Sequence, residues 1–134
     1  MFLVIGGSHQ GKMAWAQQQF NLPADKIADG ELLDISAGKM PDLSAYQALY
    51  GLHNLLRRVV EADWTDEQAE ALQAELLRLP TDFVLICDEV GAGLVPVEHF
   101  GRAYRELVGR TCCLLAKEAE GVWRIFCGLP QRIK

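Results

Sequence analysis

Near the start of the chain, Gly6-Gly7-Ser8-His9-Gln10-Gly11-Lys12-Met13 carries the arrangement G-x-x-x-x-G-K, the residue types that grip a phosphate chain. Backbone N–H groups on successive loop residues form a nest for anions, and a helix that follows adds its positive N-terminal dipole. Lys12 would reach the β- and γ-phosphates of a nucleoside triphosphate, ATP or GTP, as a point charge. The full pattern asks for Ser or Thr after the lysine, because that hydroxyl completes the shell of a catalytic Mg²⁺. Here Met13 stands in its place, and a thioether is a soft ligand where Mg²⁺ requires hard oxygens. Ser8 offers a hydroxyl from another angle, and His9, at the loop tip, either contacts phosphate or is merely solvated. Binding of the nucleotide is thus separable from the chemistry that Mg²⁺ would support.

A second chemical feature is Asp88-Glu89, directly after the apolar run Phe83-Val84-Leu85-Ile86-Cys87. Phosphate-loop proteins place a carboxylate that holds Mg²⁺ through water at such a strand end, so Asp88 is the metal candidate. The alternative is that Asp88 only caps a loop, a common use of Asp after a strand. Among the histidines, His53 reads as a satisfied, partly buried residue on an apolar helical face, and His99 as a helix N-terminal residue. None has the spacing of a catalytic triad. Of the four cysteines, Cys112 and Cys113 are adjacent, while Cys87 and Cys127 lie in apolar runs where free cysteine behaves as a small buried hydrophobe. No zinc-ligand spacing occurs, which favours reduced structural thiols.

The elements that must position these residues can be read in order. Phe2 to Ile5 is a continuous apolar run, the pattern of a buried parallel strand, and Met13 to Phe20 holds good helix formers up to Asn21 and Pro23. Pro23 to Gly30 reads as loop, Glu31 to Ile35 as a short second strand, and Ser36 to Pro41 as a polar break. From Asp42 onward, Leu43, Tyr46, Leu49, Tyr50, His53, Leu56, Val59 and Val60 recur at helical spacing. Thr65-Asp66-Glu67-Gln68 matches a capping box, its helix carries Ala69, Leu72, Leu76 and Leu79 on one face, and Pro80 stops it. Phe83 to Cys87 is a further strand. Gly91, Gly93 and Pro96 make a loop, Val97 to Ala119 is one helix or two with Gly101 and Gly109 as breaks, and Val122 to Cys127 closes the sheet. Strands alternating with helices predict an α/β domain with a mainly parallel sheet.

The 134 residues suffice for one core, so residues 1–134 read as a single nucleotide-binding domain. A net charge of −5 argues against nonspecific nucleic-acid binding, which rewards a basic surface. Met1 to Ile5 is too short for a signal peptide, and no apolar run approaches the roughly 20 residues that span a bilayer. The expected location is the cytoplasm, with no membrane partner.

The C-terminal part carries Asp88-Glu89-Val90-Gly91-Ala92-Gly93-Leu94-Val95-Pro96, then Tyr104-Arg105-Glu106-Leu107-Val108-Gly109-Arg110, Val122-Trp123 and Gly128-Leu129-Pro130. With Gly6-Gly7 and Gly11-Lys12, this set resembles the bifunctional adenosylcobinamide kinase/adenosylcobinamide-phosphate guanylyltransferases of cobalamin biosynthesis. The resemblance covers roughly the first twenty and the last fifty residues, and E-V-G-x-G-x-V-P is its most specific part. It implies a three-layer P-loop NTPase fold of RecA-like type, a homo-oligomer, and a nucleotide plus a corrinoid as ligands. It also implies a kinase-type transfer of phosphate to a corrinoid hydroxyl, with Lys12 and Glu89 as catalytic candidates. The departures are Met13, Asp88 where the family usually has Asn, Thr111-Cys112 after Gly-Arg, and a missing segment. That segment, after the first helix, holds the histidine that becomes guanylylated. No histidine lies between Gln10 and Leu52, and the nucleophile is not transferred to His53, so the guanylyltransferase half is expected to be lost. The other reading is a catalytically inactive relative that acts as a nucleotide sensor or subunit partner.

Overall fold

Five apolar residues with no charge among them make a strand that must be covered on both faces. In the computed structural model, which describes residues 1–91 and 98–134, that run is β1 (Phe2–Gly6), and it lies inside the sheet. The loop after it enters α1 (Lys12–Phe20), and a 3₁₀ turn (Ala24–Lys26) leads to β2 (Ile27–Asp29). Then follow β3 (Ala48–Tyr50), α2 (Leu52–Glu61), α3 (Asp66–Leu77), β4 (Val84–Asp88), α4 (His99–Glu118), β5 (Gly121–Phe126) and β6 (Leu129–Arg132). The strands form one sheet in the order β2-β3-β4-β1-β5-β6, parallel except for the β5–β6 hairpin.

Alternation along the strands divides the core in two. Leu3, Leu49, Leu85, Cys87 and Val122 meet α2, α3 and α4 through Leu52, Leu55, Leu56, Val59, Leu72, Leu76, Val108 and Leu115. Val4, Ala48, Val84, Ile86 and Ile125 meet Ala16 of α1 on the other face. The result is the three-layer α/β fold expected, with α1 on one side and α2, α3 and α4 on the other among the described residues. Full burial of a leucine such as Leu72 or Leu76 contributes about 1.5–3 kcal/mol.

The capping box is present as read: Thr65 Oγ1 accepts from Gln68 N–H at 3.2 Å and Gln68 Oε1 accepts from Thr65 N–H at 2.9 Å. Other boundaries need correction. The second strand is Ile27–Asp29, inside the stretch read as loop, whereas Glu31 to Ile35 is a series of turns. There Asp29 Oδ1 takes the Glu31 N–H at 2.9 Å, Asp34 Oδ1 takes the Ser36 N–H at 2.9 Å, and Leu32 is 80% exposed. These short aspartate side chains satisfy the backbone locally and compete with any ladder. Helical spacing from Asp42 was also misleading, since Ala48–Tyr50 is a strand and the helix starts only at Leu52. Gly51 separates them at φ 72°, a left-handed conformation that halts the strand and opens α2. Gly101 and Gly109 do not break α4, which is continuous from His99 to Glu118.

Val122 to Cys127 does not close the sheet, because β6 returns antiparallel beside β5 as the edge. Phe126 pairs with Leu129, so the connection is the two-residue turn Cys127-Gly128, with φ of 51° and 76° as hairpin turns require. Cys127 is therefore an exposed turn residue, unlike Cys87, which is buried as expected. The part of the Gly91/Gly93/Pro96 loop from 92 to 97 lies outside the described residues. No helix among the described residues is long and apolar enough to cross a membrane.

Candidate functional site

Parallel pairing of β1 with β4 puts Gly6 opposite Asp88, so the loop 7–11 opens at the same sheet end as the acidic pair. In parallel sheets this carboxyl end is where ligands gather. The loop turns through His9 at φ 58° and Gly11 at φ 86°, and Gly11 is the N-cap of α1 with no side-chain cap. Gly6, Gly7, Ser8, His9, Gln10, Gly11 and Lys12 therefore surround one helix entrance. Ser8 and His9 are exposed and bonded to each other, Oγ to Nδ1 at 2.8 Å. Gln10 faces the hairpin, where its Oε1 accepts from Cys127 N–H at 2.7 Å and its carbonyl accepts from Gly128 N–H at 2.9 Å. The loop is thereby fastened to the β5–β6 turn.

Lys12 is only 5% exposed, and its ammonium is internally engaged. Nζ lies 2.7 Å from Asp88 Oδ1 and donates to the Gly7 carbonyl at 2.6 Å. A buried ammonium must be compensated, and these two oxygens do so. Met13 turns away from the loop and packs against the apolar cluster of Val4, Ala16, Ile86 and Ile125. Glu89 is bound to Arg124 of β5 in a bidentate pair, 2.7 Å to Nε and 3.0 Å to Nη2. Its N–H also bonds the Gly6 carbonyl at 2.9 Å, which ties β4 to the start of the loop.

Two residues beside the site were missed in the sequence. His53, placed above on an apolar helical face, is partly buried as expected but turned toward Asp88. Its Nδ1 accepts the Asp88 N–H at 3.0 Å, and its Nε2 lies 3.6 Å from Asp88 Oδ2. That acceptor role leaves the proton of the neutral ring on Nε2. Burial is the largest influence on His53 and lowers its pKa; Asp88 opposes this, and Lys12 and Arg57 reinforce it. Recognising Ala48-Leu49-Tyr50 as a strand would have put Gly51-Leu52-His53 at a strand's carboxyl end and revealed the proximity. Arg124 sits opposite Ile5 in the β1–β5 ladder, a position that only the register discloses. Tyr104 of α4 is lifted to about 12, chiefly by burial and then by Cys87.

A nucleotide phosphate fits this loop by geometry, with its turn of N–H groups, its helix entrance and Lys12. Mg²⁺ does not fit the side chains equally well. Met13 supplies no oxygen, Asp88 already faces Lys12 and His53, and Glu89 is held by Arg124. Among the described residues no group of three or more His, Cys, Asp or Glu is placed to hold a metal.

The model of the family described as cobinamide kinase / cobinamide phosphate guanyltransferase matches residues 47–133, from the start of β3 through β6. The bifunctional adenosylcobalamin biosynthesis protein CobU of Escherichia coli is 32% identical over 103 residues, 77% of this chain and 50% of that protein. Its counterpart from Salmonella typhimurium is 36% identical over 69 residues, 52% of this chain and 38% of that protein. The chain thus spans at most half the length of these relatives. With more than half of its residues matched by the family model, the chain belongs to the cobinamide kinase / cobinamide phosphate guanyltransferase family.

Proposed function

We propose that residues 1–134 form one nucleotide-binding unit that holds the polyphosphate of ATP or GTP on the loop Gly6 to Met13. The observation that carries this reading is Lys12, buried at the helix entrance with its ammonium held 2.7 Å from Asp88 at the end of the neighbouring strand. An arriving phosphate offers Lys12 another anion, and the N–H groups of the loop take the remaining oxygens. The activity that fits the family is transfer of a phosphoryl group to a hydroxyl of a corrinoid. Glu89 would position that hydroxyl once freed from Arg124, and Asp88 would hold Lys12 in line with the phosphates. Guanylyl transfer is absent from this reading, because the Nδ1 of His9 is bonded to Ser8 and the Nδ1 of His53 is committed to Asp88. The working protein is a cytoplasmic homo-oligomer that needs neither nucleic acid nor membrane.

A second reading is favoured by the packing of Met13 and the Glu89–Arg124 pair: a noncatalytic relative that senses nucleotide or serves as a subunit partner. Calorimetric titration with ATP and GTP, with and without Mg²⁺, tests both. Binding that Mg²⁺ strengthens supports the kinase; binding indifferent to Mg²⁺ supports the sensor. Failure of both nucleotides to bind refutes the site.

A further inference from the structure

Two thiols lie directly beneath the site and take no part in it. Cys87 is the last residue of β4 before Asp88 and is fully buried, and Cys112 comes from the middle of α4. Their sulfurs are 3.7 Å apart, in van der Waals contact, while Cys113 and Cys127 are exposed. The Cys87 thiol also donates to the Asp88 carbonyl at 3.4 Å. Cys112, at intermediate exposure, is the member of the pair nearer to solvent. A disulfide has sulfurs about 2.0 Å apart, so closure asks for an approach of roughly 1.7 Å between the two sulfurs.

We propose that Cys87 and Cys112 form an oxidisable dithiol, a modification site that closes by exchange with a low-molecular-weight disulfide and in doing so displaces Asp88. The Cys112 thiolate attacks one sulfur of the small disulfide, forming a mixed disulfide and releasing one equivalent of small thiol. Cys87, as its thiolate, then attacks the Cys112 sulfur, forming the internal bond and releasing the second equivalent. The small disulfide takes up the two electrons, and the two thiol protons end on the two released thiols. Closure removes the S–H donor from the Asp88 carbonyl and draws the end of β4 toward α4. The 3.0 Å bond from Asp88 N–H to His53 and the 2.7 Å contact with Lys12 both start from that point of the strand. The effect on nucleotide rests on the function proposed above; the dithiol chemistry does not.

Oxidised glutathione supplies the test, followed by alkylation under denaturing conditions and peptide mapping. The expected product has lost two hydrogens and yields a peptide pair joined through Cys87 and Cys112. It also forms in a Cys113→Ser/Cys127→Ser variant, and dithiothreitol reverses it. Glutathione adducts confined to Cys113 or Cys127, with Cys87 and Cys112 both alkylated, overturn the proposal. Amide exchange at Asp88, measured without nucleotide, is expected to quicken in the oxidised form, and an unchanged rate refutes the displacement of Asp88. ATP affinity is expected to fall several-fold on oxidation. If the cross-link forms and exchange quickens while neither form binds ATP, the nucleotide reading fails and the dithiol stands.

Discussion

Replacing Asp88 with asparagine isolates the contact on which the site depends. Lys12 is 5% exposed and Asp88 19%, and their 2.7 Å pair is largely screened from water. Removing one partner of a buried ion pair costs about 3–5 kcal/mol, since the other charge is left without its counter-ion. Asparagine keeps an oxygen acceptor and the Gly7 carbonyl still takes a hydrogen bond at 2.6 Å, which lowers the expected cost to about 2–3 kcal/mol. In a protein of this size that corresponds to a fall in Tm of about 10 °C. The same energy acts in the opposite direction on ligand binding. In the wild-type protein a phosphate must open the Lys12–Asp88 pair before it can take the ammonium; in D88N it meets an ammonium held only by neutral oxygens. Inorganic triphosphate without Mg²⁺ should therefore bind D88N about 30- to 150-fold more tightly, the same 2–3 kcal/mol expressed as an equilibrium constant. Differential scanning fluorimetry and calorimetry read the two effects, with circular dichroism as the check on folding. A D88N protein with unchanged Tm and unchanged triphosphate affinity would refute the argument, because Lys12 would then not depend on Asp88.

Thr65→Ala removes half of the capping box and should cost about 1 kcal/mol in urea denaturation, with ligand affinity unchanged. Met13→Ser takes a partly buried thioether from the α1 cluster and should cost about 1–2 kcal/mol, while making ATP binding tighter in Mg²⁺; affinity that stays indifferent to Mg²⁺ would show that more than the hydroxyl is missing. His53 titrates lower in the folded protein than the ordinary imidazole value of 6.5, so the unfolded chain binds more protons in the window between the two values. Its contribution is complete above about pH 6.5 and is lost as the pH falls through that window, with a slope of at most about 1.4 kcal/mol per pH unit. His53→Gln should flatten the stability profile just below pH 6.5, and a profile that keeps its slope there would remove His53 as the cause.

What could be read from the sequence was whatever a single segment states by itself. Phe2 to Ile5 and Phe83 to Cys87 announce themselves as strands because every residue is apolar, and Thr65 with Gln68 fixes a helix start through two local hydrogen bonds. The short strands Ile27–Asp29 and Ala48–Tyr50 hold three residues each, fewer than any periodicity needs. Strand β6 contains Pro130 and is exposed throughout, so no apolar pattern marks it. That the G-x-x-x-x-G-K loop and Asp88 stand at strand ends was legible from type and context, and the sheet brings the two together. Their neighbours were not legible, because His53 and Arg124 reach the site only through strand order and register, which link residues 35 positions apart.

The place of β1 in the sheet bears on how the protein is made. Its two neighbours are β4 and β5, whose residues come from 84–88 and 121–126, and β2 and β3 lie on the far side of β4. Strand β1 therefore precedes both of its pairing partners in the chain by some eighty residues or more, and β2 and β3, which lie between, do not pair with it. Such long-range closure is slow, and it leaves the apolar stretch Phe2 to Ile5 uncovered during synthesis, the condition in which nascent chains associate with one another or with chaperones. The loop 7–11 is held by β4 and by the β5–β6 turn, so its final shape waits for the same late segments.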